Sequence, residues 1–174
     1  MQYTSLPKTT RAADYLCRLC TDDRRAYYWD HCHDHGYVRG PVCASCNTFE
    51  GGGMDFLTRE GGILHLLECT GCRNERVLPR RHREGIARQL AEDARHDGCA
   101  ARPYGRLLDH KGTTLRFELT CHGHTDPVQW EQEVSGTQVT KLTRQLIDEA
   151  LSPRQPDGEA PDDGSGRFKV TPLG

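Results

Sequence analysis

The sequence predicts an α+β protein: a small module stapled through paired cysteines, then a helix, a short antiparallel sheet and a C-terminal helix. Three observations carry that prediction. Two C-x2-C pairs, Cys17/Cys20 and Cys43/Cys46, bracket a segment of 22 residues. Thr114–Thr120 alternates apolar and polar side chains with the period of a strand. Beyond Ser135-Gly136, Val139, Leu142, Leu146 and Ile147 share one helical face, and Leu151 continues the stripe.

The elements follow in order. Residues 1–13, with Pro7 and several Ser and Thr, read as an irregular lead-in. Residues 14–67 form the stapled module. The run Gly51-Gly52-Gly53 interrupts regular structure. Residues 54–67 then predict short helix, with Phe56, Leu57, Ile63, Leu64, Leu66 and Leu67 as its apolar face and a break at Gly61-Gly62. Cys69 to Leu78 predicts a knuckle followed by a short strand. Pro79 suits the first turn of a helix reaching about His96, with Ile86, Leu90 and Ala94 at four-residue spacing and Gly98 as its stop. Residues 104–134 predict strands, Val128–Val134 pairing with Thr114–Thr120. Residues 68–152 thus form a C-terminal α+β region. Residues 153–174, rich in Pro, Gly and Asp, predict a disordered tail.

Composition agrees with small modules rather than one large core. Of 174 residues, 35% are hydrophobic and 7% aromatic. The net charge of -2 excludes a uniformly basic nucleic-acid binder, so any such affinity must be local. Six arginines between Arg73 and Arg88, Arg80 and Arg81 among them, face only Glu75 and Glu84 in sequence and form the candidate patch. No stretch approaches 18 apolar residues, and the N-terminus lacks an apolar signal core, so the expectation is a cytoplasmic protein with no membrane partner. In a reducing compartment nine cysteines point to metal or catalysis before disulfides.

Two residues between cysteines let a tight turn aim both sulfurs at one ion. Two such turns complete a closed tetrahedral site, so Cys17, Cys20, Cys43 and Cys46 predict a structural zinc. Such an ion supplies on the order of 10–16 kcal/mol of apparent binding energy. A module of about 40 residues has little core of its own, so zinc should decide whether it folds.

Between the pairs lies Trp29-Asp30-His31-Cys32-His33-Asp34-His35-Gly36-Tyr37-Val38-Arg39-Gly40, and directly after them stand Asn47 and Glu50 on one helical face. A phosphodiesterase needs a divalent ion held by oxygens, a base that titrates near neutrality and a group that holds phosphate. Asp30 and Asn47 can supply the oxygens, His31 the base, and Arg39 or His33 the phosphate contact. Asp34-His35 is a second Asp-His pair. It stands only four residues from Val38, too close for a hairpin turn, whereas Asp30 stands eight residues away.

These residues resemble the recombination endonuclease VII family, a branch of the HNH (ββα-metal) nucleases. The resemblance rests on Cys17/Cys20, Asp30-His31-Cys32-His33, Gly36-Tyr37-Val38-Arg39-Gly40 and Cys43/Cys46-Asn47, over about residues 14–51. It implies a β-hairpin carrying Asp30-His31 and a helix carrying Asn47. It implies a catalytic magnesium or manganese ion on Asp30 and Asn47, His31 as general base, His33 at the phosphate and Glu50 supporting the ion. It further implies DNA as substrate, branched DNA among its forms, and a phage or bacterial context. Cys32 stands where relatives carry an aspartate, and hairpin alternation predicts a partly buried free thiol aimed away from the site.

Cys69-Thr-Gly-Cys72 is a third C-x2-C pair, and Cys121-His-Gly-His124 is a C-x2-H pair. Together Cys69, Cys72, Cys121 and His124 predict a second zinc site, with His65 and His122 as competing ligands. Cys99 is unassigned. Arg39, Arg80 and Arg81 are the candidate DNA-phosphate contacts. A homodimer suits a two-fold junction. A zinc module that binds DNA or protein without catalysis is the alternative, and the Asp30-His31/Asn47 trio is the feature such a module would not need.

Overall fold

The computed structural model describes residues 1–94 and 101–152. The chain divides into two units, Met1–Pro79 with the chain from Leu146 onward, and Arg80–Gln145. The fold is α+β in both senses the sequence implies, with small antiparallel sheets and cysteine clusters near the N-terminus.

In the first unit the lead-in is not featureless. Short 3-10 turns form at Tyr3–Ser5 and Ala12–Asp14. Gln2 bridges to Tyr37, and Leu16 to Arg25. Strands β1 (Tyr28–His31) and β2 (Val38–Val42) form an antiparallel hairpin. Tyr28, Trp29 and Asp30 oppose Val42, Pro41 and Gly40, but His31 opposes Val38. Arg39 is therefore the extra residue of a β-bulge, a device that re-aims a side chain.

Helix α1 (Ala44–Glu50) starts at the second knuckle: Cys43 is its N-cap and accepts from the Cys46 N–H. The triple glycine separates α1 from α2 (Met54–Thr58), and Gly61 in the left-handed region separates α2 from α3 (Gly62–Leu66). The apolar face read from the sequence is buried at Phe56, Leu57, Ile63, Leu66 and Leu67, while Leu64 is exposed. Phe49 and Phe56 meet edge to face at 6.0 Å, which packs α1 against α2.

The strand expected before Leu78 does not form. Residues 70–75 make helix α4 (Thr70–Glu75), which ends on Arg76 at φ 53°. The Val77 N–H then returns to the Cys72 carbonyl at 3.0 Å and closes the helix.

In the second unit, α5 (Arg80–Asp93) packs on a three-stranded antiparallel sheet of β3 (Tyr104–Lys111), β4 (Thr114–Cys121) and β5 (Val128–Ser135). The alternation read in the sequence buries Leu115, Phe117, Leu119 and Cys121 on one face of β4. Val128 opposes Cys121 and Val134 opposes Leu115, the pairing expected. The buried line on α5 is His82, Ile86, Ala87 and Ala91. Ala94, expected on that face, is exposed.

Helix α6 (Gly136–Leu151) buries Val139, Thr143 and Ile147, leaves Leu142 and Leu146 half-buried and exposes Leu151. The expected helix end at His96 and Gly98, Cys99 and the tail 153–174 lie outside the described residues. Among the described residues no helix is long and apolar enough to cross a membrane.

Candidate active site and cysteine clusters

The first knuckle loop and the start of α1 bring Cys17, Cys20, Cys43 and Cys46 together, with all four sulfurs within 4.8 Å of one another. Cys20 Sγ lies 3.6 Å from Cys43 Sγ and 3.5 Å from Cys46 Sγ. A disulfide would need about 2.05 Å. A tetrahedral zinc with Zn–S of about 2.3 Å separates its sulfurs by about 3.8 Å. The donor set fits a closed structural zinc. Arg59 supports it, donating from Nη1 to Cys46 Sγ at 3.8 Å and from Nη2 to the Leu19 carbonyl at 2.7 Å. Val42 packs with these cysteines, so the cluster is also the local core.

Beside this cluster, Arg39 holds hairpin and helix together. Its Nη2 donates to Asp30 Oδ1 on β1 at 2.9 Å, to Glu50 Oε1 on α1 at 2.8 Å and to the His31 carbonyl at 3.1 Å. Its Nε lies 2.7 Å from Asp30 Oδ2, and its side chain is only 1% exposed. Burial disfavours the guanidinium charge, but Asp30 and Glu50 outweigh it and hold Arg39 more firmly protonated than usual. Gly40, next in the strand, has φ +148°, and a Cβ there would stand 2.4 Å from Arg18 Cδ. Arg18 uses that close approach to donate to the Arg39 carbonyl at 2.7 Å.

Asp30 has a second partner. His65 on α3 places Nε2 2.6 Å from Asp30 Oδ2. Burial pushes the Asp30 carboxyl up, but the His65 hydrogen bond and the Arg39 charge prevail and hold it below its usual range. Burial pushes the His65 imidazole below its ordinary value despite Asp30. A neutral His65 donates through Nε2–H, leaving Nδ1 as a buried acceptor with no partner.

The remaining candidates are less buried. His31 is half-buried, and its ring stacks on Tyr3 at 4.0 Å and 13°. His33 is exposed with its ring centroid 4.8 Å from that of His31. Asn47, on α1, is exposed.

This is a knuckle, a hairpin carrying Asp-His and a helix carrying Asn, in that order. Residues 2–68 match the recombination endonuclease VII family. The endonuclease VII match takes in both the first cysteine cluster and the Asp30 network. No curated protein and no solved structure matches the chain.

The endonuclease VII match ends at Glu68, one residue before the third cysteine pair. The structure groups that pair differently from the sequence expectation. Cys69 and Cys72 stand with Cys32 and His35, with all four donor atoms within 4.8 Å of one another. The tight turn after β1 delivers Cys32 and His35 to the start of α4 inside the first unit, so Cys121 and His124, in the second unit, are not needed to complete the set. Cys121 ends β4 and faces the Ala101 carbonyl. Cys32 is therefore not an isolated thiol: it is fully buried, 3.7 Å from Cys72 Sγ. His65, a competing ligand in the sequence, is committed to Asp30.

Arg39, expected at the phosphate, is buried and paired with the Asp30 and Glu50 carboxylates. Glu50 faces Arg39. Arg80 and Arg81 are both exposed on α5, with Arg80 paired to Glu84 at 2.8 Å. Two placements escape a reading of the sequence. The contact of His65 with Asp30 leaves no signal, because a histidine in an apolar helix names no partner. His35 does leave one: Cys32-His-Asp-His35 has the same C-x2-H spacing as Cys121-His-Gly-His124.

Proposed function

We propose that the chain is a ββα-metal DNA endonuclease that hydrolyses phosphodiester bonds with a divalent ion, branched DNA being its preferred substrate. The observation that supports this reading best is the Asp30 network: a carboxylate held by Arg39 and His65 on the strand that ends in the half-buried His31. An ordinary surface loop has no use for a carboxylate fixed from two sides.

The oxygen donors offered to such an ion are those of Asp30 and Asn47. A carboxylate offers about four lone-pair positions. Arg39 Nη2 takes one on Oδ1 and His65 takes one on Oδ2, while Arg39 Nε stands 2.7 Å from Oδ2 as an ion pair. One position on Oδ1 remains, and Asn47 supplies an exposed amide oxygen. Asp30 and Asn47 would hold magnesium or manganese, hard ions that favour oxygen. When bound, the ion supplies Lewis-acid stabilisation of the leaving oxygen.

The chain's own residues supply the rest. His31 accepts the proton of the attacking water as it approaches phosphorus, its ring plane set by Tyr3. His33, beside it, donates to the phosphate. Arg39 and Glu50 fix the hairpin to α1 and so fix Asp30 relative to the helix that carries Asn47. Exposed arginines of α5 supply non-specific attraction to the DNA backbone, and a homodimer would present two such sites to a two-fold junction.

The test is plasmid nicking with magnesium or manganese, with a chelator control, and a four-way junction compared with linear duplex. His31→Ala should slow cleavage by about 10²–10⁴-fold, the usual contribution of a general base, with zinc content unchanged. Full activity in that variant removes His31 from the role. DNA binding with no cleavage under any divalent ion would favour the non-catalytic zinc module instead.

A further inference from the structure

The structure assigns a second, closed Cys3His zinc site to Cys32, His35, Cys69 and Cys72, which clamps the turn of the catalytic hairpin to helix α4. The distances carry it. His35 Nδ1 lies 3.6 Å from Cys32 Sγ, 3.5 Å from Cys69 Sγ and 3.4 Å from Cys72 Sγ. Zinc with Zn–S of about 2.3 Å and Zn–N of about 2.0–2.1 Å at tetrahedral angles sets a sulfur–nitrogen edge of about 3.5 Å. The Cys32–Cys72 sulfur separation of 3.7 Å matches the corresponding sulfur edge and excludes a disulfide.

The surroundings are built for that ion. Helix α4 repeats the start of α1: Cys69, like Cys43, is an N-cap whose sulfur accepts from the N–H three residues on, at 3.5 Å in both places. Cys32, Cys69 and Cys72 are fully buried. His35 Nε2 lies 3.3 Å from Glu75 Oε1, so the imidazole that offers Nδ1 to a metal is oriented by a carboxylate at its other nitrogen. That is the recurring arrangement around zinc-bound histidine. Gly71 makes room for it: a Cβ there would stand 2.5 Å from the His35 ring. With all four positions filled by protein, the ion is structural and has no open position for water.

The site also crosses the boundary of the family match. Cys32 and His35 belong to the endonuclease VII segment, whereas Cys69 and Cys72 lie just beyond it. The ion would therefore fasten the nuclease hairpin to chain outside that segment. His33 sits between two of its ligands, so its position is fixed by the clamp.

Elemental analysis and native mass spectrometry of the purified full chain test this without reference to cleavage. Two zinc ions per chain are expected. Cys69→Ser with Cys72→Ser should leave one, as should His35→Ala. His35→Cys, which rebuilds a four-ligand site, should retain two, which guards against loss through misfolding. Gly71→Ala should raise the dissociation constant of one ion at least tenfold and leave the other unchanged. In the cobalt-loaded protein, His35→Cys should strengthen the thiolate-to-cobalt charge-transfer band by one thiolate. One zinc per wild-type chain, or two in the Cys69→Ser/Cys72→Ser variant, would overturn the assignment. Failure to cut DNA bears only on the proposed function.

Discussion

Arg39 joins two carboxylates that lie on different elements, Asp30 on β1 and Glu50 on α1. A buried ion pair adds little net stability over a well-packed apolar alternative, because desolvation offsets the attraction. Removing one partner is another matter, since it strands the others in a medium that solvates them poorly. Arg39→Ala leaves Asp30 and Glu50 facing each other without the cation between them. The expected loss is about 3–5 kcal/mol, read from urea unfolding of the zinc-loaded protein. A loss below about 1 kcal/mol would mean that water compensates the two carboxylates. Gly40 makes a separate demand at the next position. Alanine there meets both an unfavourable φ and the Arg18 side chain, and the expected cost is about 1–3 kcal/mol, measured in the same unfolding assay.

At the scale of elements, legibility depends on whether a pattern is local. The Cys17/Cys20 and Cys43/Cys46 pairs can be grouped from spacing because each knuckle is made within a few residues. The β4 strand and the α6 helix are legible because one face of each is buried, so period 2 and period 3.6 appear in the side chains. The placement of Cys32 beside Cys69 and Cys72 is not legible in the sequence for a definite reason. Alternation holds only along a strand, and β1 ends at His31. Cys32 already belongs to the turn, where its N–H bonds the Tyr37 carbonyl at 2.9 Å and its carbonyl accepts from Gly36 at 2.7 Å. Spacing does not place the third cysteine pair with Cys32 and His35, because two C-x2-H segments are available and sequence distance alone does not rank them. The strand expected before Leu78 gives way to a helix cap, since Arg76 takes the left-handed conformation that terminates α4. The Asp30–His65 contact joins residues 35 apart through tertiary packing, and no periodicity encodes that.

At the scale of the whole molecule, the lean composition finds its explanation in two units with separate means of cohesion. The first has cysteine clusters inside its core. The second has a sheet covered by α5 and no cysteine cluster among its described residues. Metal removal should therefore act unevenly. In hydrogen exchange of the full chain, a strong zinc chelator should raise exchange in β1, β2 and α1 by several orders of magnitude, since structural zinc contributes on the order of 10 kcal/mol. Amides of β4, hydrogen-bonded on both sides, should change little. Uniform acceleration would show that the second unit depends on the first. The charge balance is consistent with the same division of labour: with a net charge of -2 the chain as a whole does not attract DNA, so attraction must be confined to particular surfaces.

The bulge in the hairpin has a consequence for the spelling of this chain. One strand carries a residue that its partner does not answer, so the two sides agree only up to Asp30 and Gly40 and resume at His31 and Val38. Which side chains turn inward is decided by counting from that point. A chain with the same amino acids but one fewer between Gly36 and Gly40 would keep every functional group and lose their arrangement, because Arg39 would no longer be the odd one out. What the hairpin transmits is a number as well as a set of letters.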